Sequence, residues 1–372
     1  MPPVIDADTH IIEHPGVFEM MDRDMYHRRP IQVTTPADSQ YGRTNAFWLV
    51  DGVAVPRLVG KGSVFFAVPA SDSERARTDI PPEVRGLIDV AARVKALDDR
   101  GVDIEVVFPT MFLGHVTADA ELEVALMRSY NRYLGNVWAQ SNGRLRWVVV
   151  PPLHCIPEAV REIHAAKEHG AIGVFFRGVE DNWTLVEPYF DPVYQAAAAA
   201  GLPICIHTGA GSPALAAVFD RHLNHNLPQN RVLPVFAFRD IVAHQLPQRF
   251  PGLRFGFIEA SSCWVPYVLH HLRRSGVINK RSETPGVEDM WEWGPKLFRE
   301  YGLFVACEVD EDIPYILKFV GHDNLICGSD YGHTDQSRES GMVAALRSRA
   351  DLPAGAAQKI LSDNPARFYG IA

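Results

Sequence analysis

Asp8 and His10 are two metal-competent residues, two positions apart, in the opening apolar segment Val4–His10. Residues i and i+2 of a β-strand point to the same face, so a carboxylate and an imidazole at this spacing can bind one cation together. The ordinary interpretation of the pair is that Asp8 caps a turn and His10 is a hydrogen-bonded surface histidine. Segments further along the chain favour the metal site.

Three later segments repeat the pattern, because each is a short apolar run that ends in a metal-competent side chain: Leu202–His207, Leu253–Glu259 and Asn324–Asp330. Such runs are typical of buried parallel strands, whose C-terminal ends meet at the mouth of an α/β barrel. The sequence therefore predicts one metal site with the ligands Asp8, His10, His207, Glu259 and Asp330. Two neighbours in sequence, Glu13 and His333, are further candidate ligands.

The elements that must position these residues alternate along the chain. The pattern predicts about eight strands separated by helices, the number that closes a (β/α)8 barrel of TIM type. Predicted strands after the first are Asp103–Phe108, Trp147–Val150, Ile172–Phe176, Leu303–Cys307 and the runs ending at His207, Glu259 and Asp330. Predicted helices include Val84–Arg100, Ala120–Ser141, Pro157–His169, Pro192–Ala200, Trp264–Arg274 and Ile313–Val320.

Residues 1–372 are predicted to form a single domain, with residues 11–80 as an insertion after the first strand. The insertion contains a hairpin pattern at Trp48–Val55 and would lie over the barrel mouth as a lid or part of the substrate pocket. Its aromatic residues Phe47, Trp48, Phe65 and Phe66 suit a hydrophobic ligand and would equally hold a lid together.

Composition excludes several classes of partner. The chain has 372 residues, of which 47% are hydrophobic and 22% charged, with a formal net charge of -9. It therefore lacks the basic footprint of a protein that binds nucleic acid or an anionic membrane, and a small-molecule partner is expected. We see no apolar run of roughly 18 residues and no signal-peptide pattern, so we expect a cytoplasmic location.

With these motifs laid out, the chain resembles the amidohydrolase superfamily, in the branch of aminocarboxymuconate semialdehyde decarboxylase and resorcylate-type decarboxylases. The resemblance covers nearly the whole length and is carried by Asp6–His10, Ile206–Gly209 and Gly328–His333, which match the metal motifs of strands one, five and eight. It implies a metal-dependent enzyme on a barrel fold. Proteins of this resemblance are often dimers, so a homodimer is a candidate assembly.

The chain departs from the resembled decarboxylases at the sixth strand, where they carry a His-Gly pair and this chain has Glu259. A glutamate cannot supply the cationic imidazole that handles water or protons in those enzymes. Dinuclear amidohydrolases bridge two metals with a carboxylated lysine on strand four, whereas the matching strand here ends at Arg177. Arginine stays protonated, so Arg177 forms either a structural salt bridge or a catalytic contact with a substrate carboxylate or phosphate.

Two histidines and three carboxylates favour two metals over one. On this ground the chain resembles a small branch of the fold, the non-heme diiron monooxygenases that hydroxylate terpenoid-type acyl substrates. The resemblance implies two Fe ions, O2 as a second substrate, and an organic acid or acyl substrate held by apolar groups such as Trp264 and Phe112. We expect iron in the protein and oxygen consumption linked to substrate.

The alternative is a decarboxylase or hydrolase with one zinc or manganese ion. Asp330 would then be the general base, and Glu259 would assist proton transfer. A third hypothesis, a barrel without catalysis, fits poorly with a ligand set at so many strand ends. Two loop histidines, His115 and His154, are expected to be surface or hydrogen-bonded residues, while Glu308 could reach the barrel mouth.

Overall fold

The computed structural model describes residues 2–34, 38, 46–55, 79–215, 231–275, 287–333 and 338–371. Its main feature is a sheet of eight parallel strands. In sheet order these are β1 (Ile5–His10), β5 (Ile104–Phe108), β6 (Leu145–Val149), β7 (Ala171–Arg177), β8 (Ile204–His207), β9 (Phe255–Ile258), β10 (Leu303–Cys307) and β11 (Leu325–Cys327).

The sheet curves into a nearly closed barrel, because the segment that follows β11 returns to β1. The His10 N–H donates to the Tyr331 carbonyl at 2.8 Å, and the Asp330 N–H donates to the Asp8 carbonyl at 3.0 Å. Every residue of β7 and of β8 is buried, as expected for strands covered on both faces. The predicted (β/α)8 barrel is confirmed.

Helices surround the barrel. They are α1 (Pro82–Arg85), α2 (Val90–Arg100), α3 (Ala120–Gln140), α4 (Ile156–Glu168), α5 (Asp191–Ala200), α6 (Val232–Ala243), α7 (Leu246–Arg249), α8 (Val265–Arg274), α9 (Val287–Tyr301), α10 (Ile313–Val320), α11 (Met342–Ser348), α12 (Ala356–Gln358) and α13 (Asn364–Tyr369). None of the helices in the described part of the chain is long and apolar enough to cross a membrane.

One predicted helix, Val84–Arg100, is wrong as a single element, since the chain forms α1 and α2 with a break between them. Leu87 adopts a left-handed backbone with φ 56°, which a continuous helix does not tolerate. Asp89 then starts the second helix by accepting the Ala92 N–H at 2.9 Å. The start of α2 is therefore set by its local N-cap and not by the longer hydrophobic periodicity.

The insertion after β1 contains a small antiparallel sheet of β2 (Ile31–Thr34), β3 (Ala46–Val50) and β4 (Val53–Val55). The predicted hairpin is confirmed: Asp51 and Gly52 link β3 to β4, both with positive φ, as a type I′ turn requires. Phe65 and Phe66 lie outside the described residues. The lid role of residues 11–80 and the single-domain assignment stay predictions.

A buried network of charges supports β1 from the helix side. Arg100 bonds Asp6 at 2.9 Å and Glu105 at 3.0 Å, and Arg93 bonds Glu105 at 2.6 Å. Both arginines also stack on the Tyr331 ring, at 4.5 Å for Arg93 and 3.8 Å for Arg100. Each buried charge in this layer thus has a partner, as burial in a low-dielectric interior demands.

Replacing Glu105 with Ala should destabilise the fold strongly, because it leaves two buried guanidinium groups without their shared acceptor. We expect a loss of about 3–5 kcal/mol in the free energy of unfolding, measured by urea denaturation. Asp99→Ala, which removes an exposed i,i+4 partner of Lys95, is the control and should cost less than about 1 kcal/mol. Equal effects of the two substitutions would contradict this account of the network.

Candidate metal centre

The side chains of Asp8, His10, His207 and Glu259 meet at the C-terminal end of the barrel strands. Their ligand atoms all lie within 4.8 Å of one another, and a second group of His10, Glu259, Asp330 and His333 overlaps the first. All five ligands predicted from the strand ends therefore lie in one cluster. His333, the further candidate, lies there as well.

The distances between donor atoms match those around a single ion. His10 Nε2 and His207 Nε2 each lie 3.4 Å from Asp8 Oδ1, and His207 Nε2 lies 3.3 Å from Glu259 Oε2. Ligands about 2.1 Å from a tetrahedral ion are separated by about 3.4 Å. Three of the four separations between neighbouring donors match this value, and the fourth, from His10 Nε2 to Glu259 Oε2, is 3.9 Å. Three of these atoms are also buried and make no hydrogen bond within the described chain: Asp8 Oδ1, His10 Nε2 and His207 Nε2.

Hydrogen bonds at the far side of each ring select the tautomer. Nδ1 of His10 lies 2.9 Å from the Pro109 carbonyl, and Nδ1 of His207 lies 2.8 Å from the Thr208 carbonyl. A carbonyl can only accept, so Nδ1 carries the proton in both rings. Each Nε2 then directs a lone pair into the cluster, the arrangement that backbone carbonyls impose on metal-bound histidines.

The backbone is distorted where it presents these groups. A bulge in β1 places two residues, Ala7 and Asp8, opposite one residue of β5, which sends Asp6 to the helix side and Asp8 to the cluster. Glu259 directly follows β9 and Asp330 lies three residues after β11, and their φ values are 52° and 51°. Non-glycine residues rarely adopt this conformation, and such strain is concentrated at functional sites.

Gly328 provides the close approach that the cluster needs. A Cβ atom at this position would lie 2.3 Å from Asp8 Cβ and 2.8 Å from the Asp8 backbone nitrogen. The strand that carries Asp330 can therefore lie directly against Asp8 only with glycine here.

The electrostatics of the cluster call for a positive charge. Burial lowers the pKa of His10 to about 3, so this ring is neutral and able to bind a metal. Burial also opposes charge on His207, but the Asp8 carboxylate outweighs burial and raises the pKa of this ring. In Asp8, burial is in turn outweighed by His207 and His10, which lower the pKa of the carboxyl group.

His333 connects the cluster to the loop after β5. The Thr110 hydroxyl donates to the Ile11 carbonyl at 2.6 Å, so its oxygen accepts a hydrogen bond from His333 Nε2 at 2.8 Å. Nδ1 of His333 faces Asp330 Oδ1 at 2.7 Å, and its ring stacks on His10 with centroids 3.7 Å apart. His333 is thus placed to exchange a proton with Asp330.

Three other predicted site residues lie outside the ligand cluster. Both oxygens of Glu13 accept backbone N–H groups, from Thr110 at 3.0 Å and Met111 at 2.9 Å, so its carboxylate anchors a loop. Arg177 is held by Glu180 and by the Gly114 carbonyl, which is the structural salt bridge that the sequence left as one option.

Trp264 belongs to the layer between barrel and helices. Its indole N–H donates to the Ser261 carbonyl at 2.8 Å, and its ring contacts Phe238 at 5.0 Å and Phe257 at 6.1 Å between centroids. Phe112 is buried against Tyr130. The contacts of both rings are those of core residues, and the substrate role predicted for Trp264 has no support from them.

Sequence reasoning missed Arg231, which lies just before α6. Its guanidinium contacts Glu308 at 2.5 Å and lies 3.9 Å from Glu259 Oε1. No sequence signal marks it, because it follows no strand and belongs to no motif. Glu308 reaches the barrel mouth, as the sequence allowed.

A family model described as Amidohydrolase matches residues 5–371. The chain belongs to the amidohydrolase family. A search of curated proteins found none that matches the sequence significantly. The candidate ligand cluster of this amidohydrolase lies at the mouth of the barrel that its sequence motifs predicted.

Solved structures with the same fold span the whole chain. An amidohydrolase from Mycobacterium avium subsp. paratuberculosis K-10 has a TM-score of 0.74 at 18% identity, over 100% of this chain and 98% of that one. The 5-carboxyvanillate decarboxylase LigW from Sphingomonas paucimobilis has a TM-score of 0.65 at 17% identity, with both chains fully covered.

A dihydroxybenzoic acid decarboxylase from Polaromonas sp. JS666, solved with bound manganese and the inhibitor 2-nitroresorcinol, has a TM-score of 0.58. Its identity to this amidohydrolase is 17%, over 78% of this chain and 91% of that one. At such identities the likeness establishes the fold.

Substituting His207 with Ala should weaken metal binding by at least about 100-fold, since it removes one ligand from the shell. Plasma mass spectrometry after dialysis against Mn²⁺ would measure the metal content. His244→Ala is the matched control, because His244 is exposed and distant in sequence from every ligand. Retention of the full metal content by His207→Ala would count against the cluster as the binding site.

Gly328→Ala should displace Asp8 and so lower the metal content without removing any ligand, because the added methyl group overlaps the Asp8 backbone. Gly341→Ala, where a Cβ atom would meet nothing within 4 Å, should leave the metal content unchanged. Metal content and melting temperature would be measured for both variants. A Gly328→Ala protein that binds metal normally would show that the approach of β11 to Asp8 is not required.

Proposed function

We propose that this amidohydrolase is a decarboxylase of small organic acids that uses one divalent ion, manganese or zinc. The observation that carries the proposal is the set of four donor atoms that lie within 4.8 Å of one another around one position, with separations of 3.3–3.9 Å between the neighbouring pairs. These donors are carboxylate oxygens and two imidazole nitrogens that can bind a metal when the rings are neutral. Such a set suits zinc and manganese. An ion there would act as a Lewis acid on a substrate oxygen.

Two features favour one ion over two. The strand that would supply a bridging carboxylated lysine ends at Arg177, whose guanidinium is committed to Glu180. The second ligand group reuses His10 and Glu259 from the first, and an imidazole lone pair binds a single ion. The expectation of two irons with O2 as a second substrate gains no support from the related structures, which include manganese-bound decarboxylases.

Decarboxylation requires a proton as well as a metal. When the bond between the carboxylate and its carbon breaks, the electron pair stays on that carbon, which must then be protonated. Asp330 is the acid-base group that we assign to this step, because His333 Nδ1 lies 2.7 Å from its Oδ1 and can return a proton after each turnover. The Asp330–His333 pair would thus replace the sixth-strand histidine that this chain lacks.

Arg231 is the group that we assign to an anionic part of the substrate. It lies at the rim beside Glu308 and Glu259, and its side chain is 15% exposed. A planar guanidinium binds a carboxylate through two parallel hydrogen bonds, which fixes the orientation of the acid. The related decarboxylases act on hydroxylated aromatic acids, so we place the substrate in this class. The homodimer stays a prediction.

The proposal can be tested by loading the protein with Mn²⁺ or Zn²⁺ and supplying a panel of hydroxybenzoic acids under nitrogen. We expect release of CO2 without oxygen, and a fall in kcat of at least about 100-fold in Asp330→Asn, since general acid-base catalysis contributes about that much. Asp351→Asn, an exposed carboxylate paired with Arg349, is the matched control.

Activity that strictly requires O2 and two irons per chain would contradict the proposal and favour the diiron monooxygenase. Metal content measured on the same samples separates a lost ion from a lost proton donor. An Asp330→Asn protein that keeps its metal and its full kcat would remove Asp330 from the mechanism.

A further inference from the structure

A second cluster of metal-competent side chains lies on the same side of the barrel, and it shares no residue with the first. It consists of His115, His154 and Asp181, which follow the consecutive strands β5, β6 and β7. One ligand atom from each residue lies within 4.8 Å of the other two. Three loops that are distant in sequence therefore converge on one point of the rim.

The three loops are fixed by backbone hydrogen bonds. The His115 N–H donates to the Ala210 carbonyl at 3.1 Å, and the Asp181 N–H donates to the Gly211 carbonyl at 3.0 Å. The His154 N–H donates to Glu123 Oε2 at 2.8 Å. The backbone of each of the three residues is thus held in place by the fold, and the side chains of His115 and His154 both contact Asp181.

The spacing between His115 and Asp181 is that of two ligands in a coordination shell, whereas His154 and Asp181 form a direct ion pair. Nε2 of His115 lies 3.2 Å from Asp181 Oδ1, while Nε2 of His154 contacts the other oxygen, Oδ2. A separation of about 3.4 Å is expected between ligands of a tetrahedral ion. Both imidazoles therefore direct the same nitrogen toward one carboxylate, in a two-histidine, one-carboxylate set.

Glu123 adds the outer carboxylate that is common behind metal-bound histidines. Its Oε1 lies 3.0 Å from His154 Nδ1, on the side of the ring opposite to Asp181, and its side chain is only 5% exposed. A carboxylate in this position holds the tautomer whose Nε2 faces the ion. The cluster therefore contains an outer carboxylate, a histidine that contacts it, and a second nitrogen of that histidine that faces the position of the ion.

The surrounding charges also suit a divalent cation. Asp181, Glu123 and Glu180 bring three negative charges, and Arg177 brings one positive charge that is bonded to Glu180. Without an ion, His154 serves as the cation, because contact with Glu123 outweighs burial and raises its pKa to about 9. The side chains of His115 and His154 are 20% and 27% exposed, so an ion and its water ligands can enter.

We propose that His115, His154 and Asp181 bind a second divalent transition metal ion of the zinc type, with Glu123 orienting His154. The ion links the loops after three adjacent strands and keeps coordination positions open to solvent. This site is independent of the proposed function, which concerns the cluster around His10 and His207.

The test measures zinc stoichiometry in a set of variants. The full-length protein is stripped with a chelator, dialysed against Zn²⁺ and analysed by plasma mass spectrometry. We expect two zinc ions per chain in the unaltered protein, one in Asp181→Ala, one in His115→Ala, one in His207→Ala, and none in the double variant of His207 and Asp181. His164→Gln, an exposed histidine on α4, is the control and should keep both ions.

Each outcome assigns the sites separately. If Asp181→Ala and His115→Ala keep the stoichiometry of the unaltered protein, the cluster is an ion pair only and the inference is overturned. If His207→Ala alone abolishes both ions, the first site is dinuclear, which overturns both this inference and the one-ion function. One ion that is lost only in the Asp181 and His115 variants would support the second site and contradict the first. Circular dichroism checks that each variant is folded, and the two variants of the second cluster, Asp181→Ala and His115→Ala, lie in different loops.

Discussion

Mutual repulsion among Asp8, Glu259 and Asp330 is the constraint on which the rest of this structure depends. Asp8 and Asp330 are buried and Glu259 is half-buried, all within a few ångströms of His10 or His207, where water screens charges weakly. Buried like charges raise one another's free energy unless a cation lies among them. The neutral state of His10, with its low pKa, leaves that compensation to His207, whose pKa is raised, and to a bound cation.

The fold holds these repelling groups together by several devices behind the cluster. A bulge in β1 separates Asp6, which binds Arg100 on the helix side, from Asp8, which faces the cluster. Positive φ values at Glu259 and Asp330 turn both carboxylates toward the strand ends. Carbonyls at Pro109 and Thr208 fix the two imidazoles. Each device costs local strain or desolvation, and the buried core of the barrel offsets it.

Much of this arrangement could be predicted from apolar runs that end in His207, Glu259 and Asp330, because parallel strands bring their C-terminal ends together. The bulge and the left-handed residues could not, since they depend on contacts between segments far apart in sequence. For the same reason the sequence does not indicate Arg231, and it predicts His115 and His154 only as separate loop histidines. Glu13 was a candidate ligand by its proximity to His10, but the N–H groups of Thr110 and Met111 occupy its carboxylate. The break at Leu87 shows a local N-cap overriding periodicity.

The number of ions within the first cluster tests the account most directly. Anomalous diffraction from crystals grown with Mn²⁺ would locate each ion relative to the side chains. The account predicts one peak among Asp8, His10, His207 and Glu259, at about 2.0–2.2 Å from the donor atoms. Two peaks about 3.5–4 Å apart within this cluster would contradict it and would indicate a dinuclear metal site.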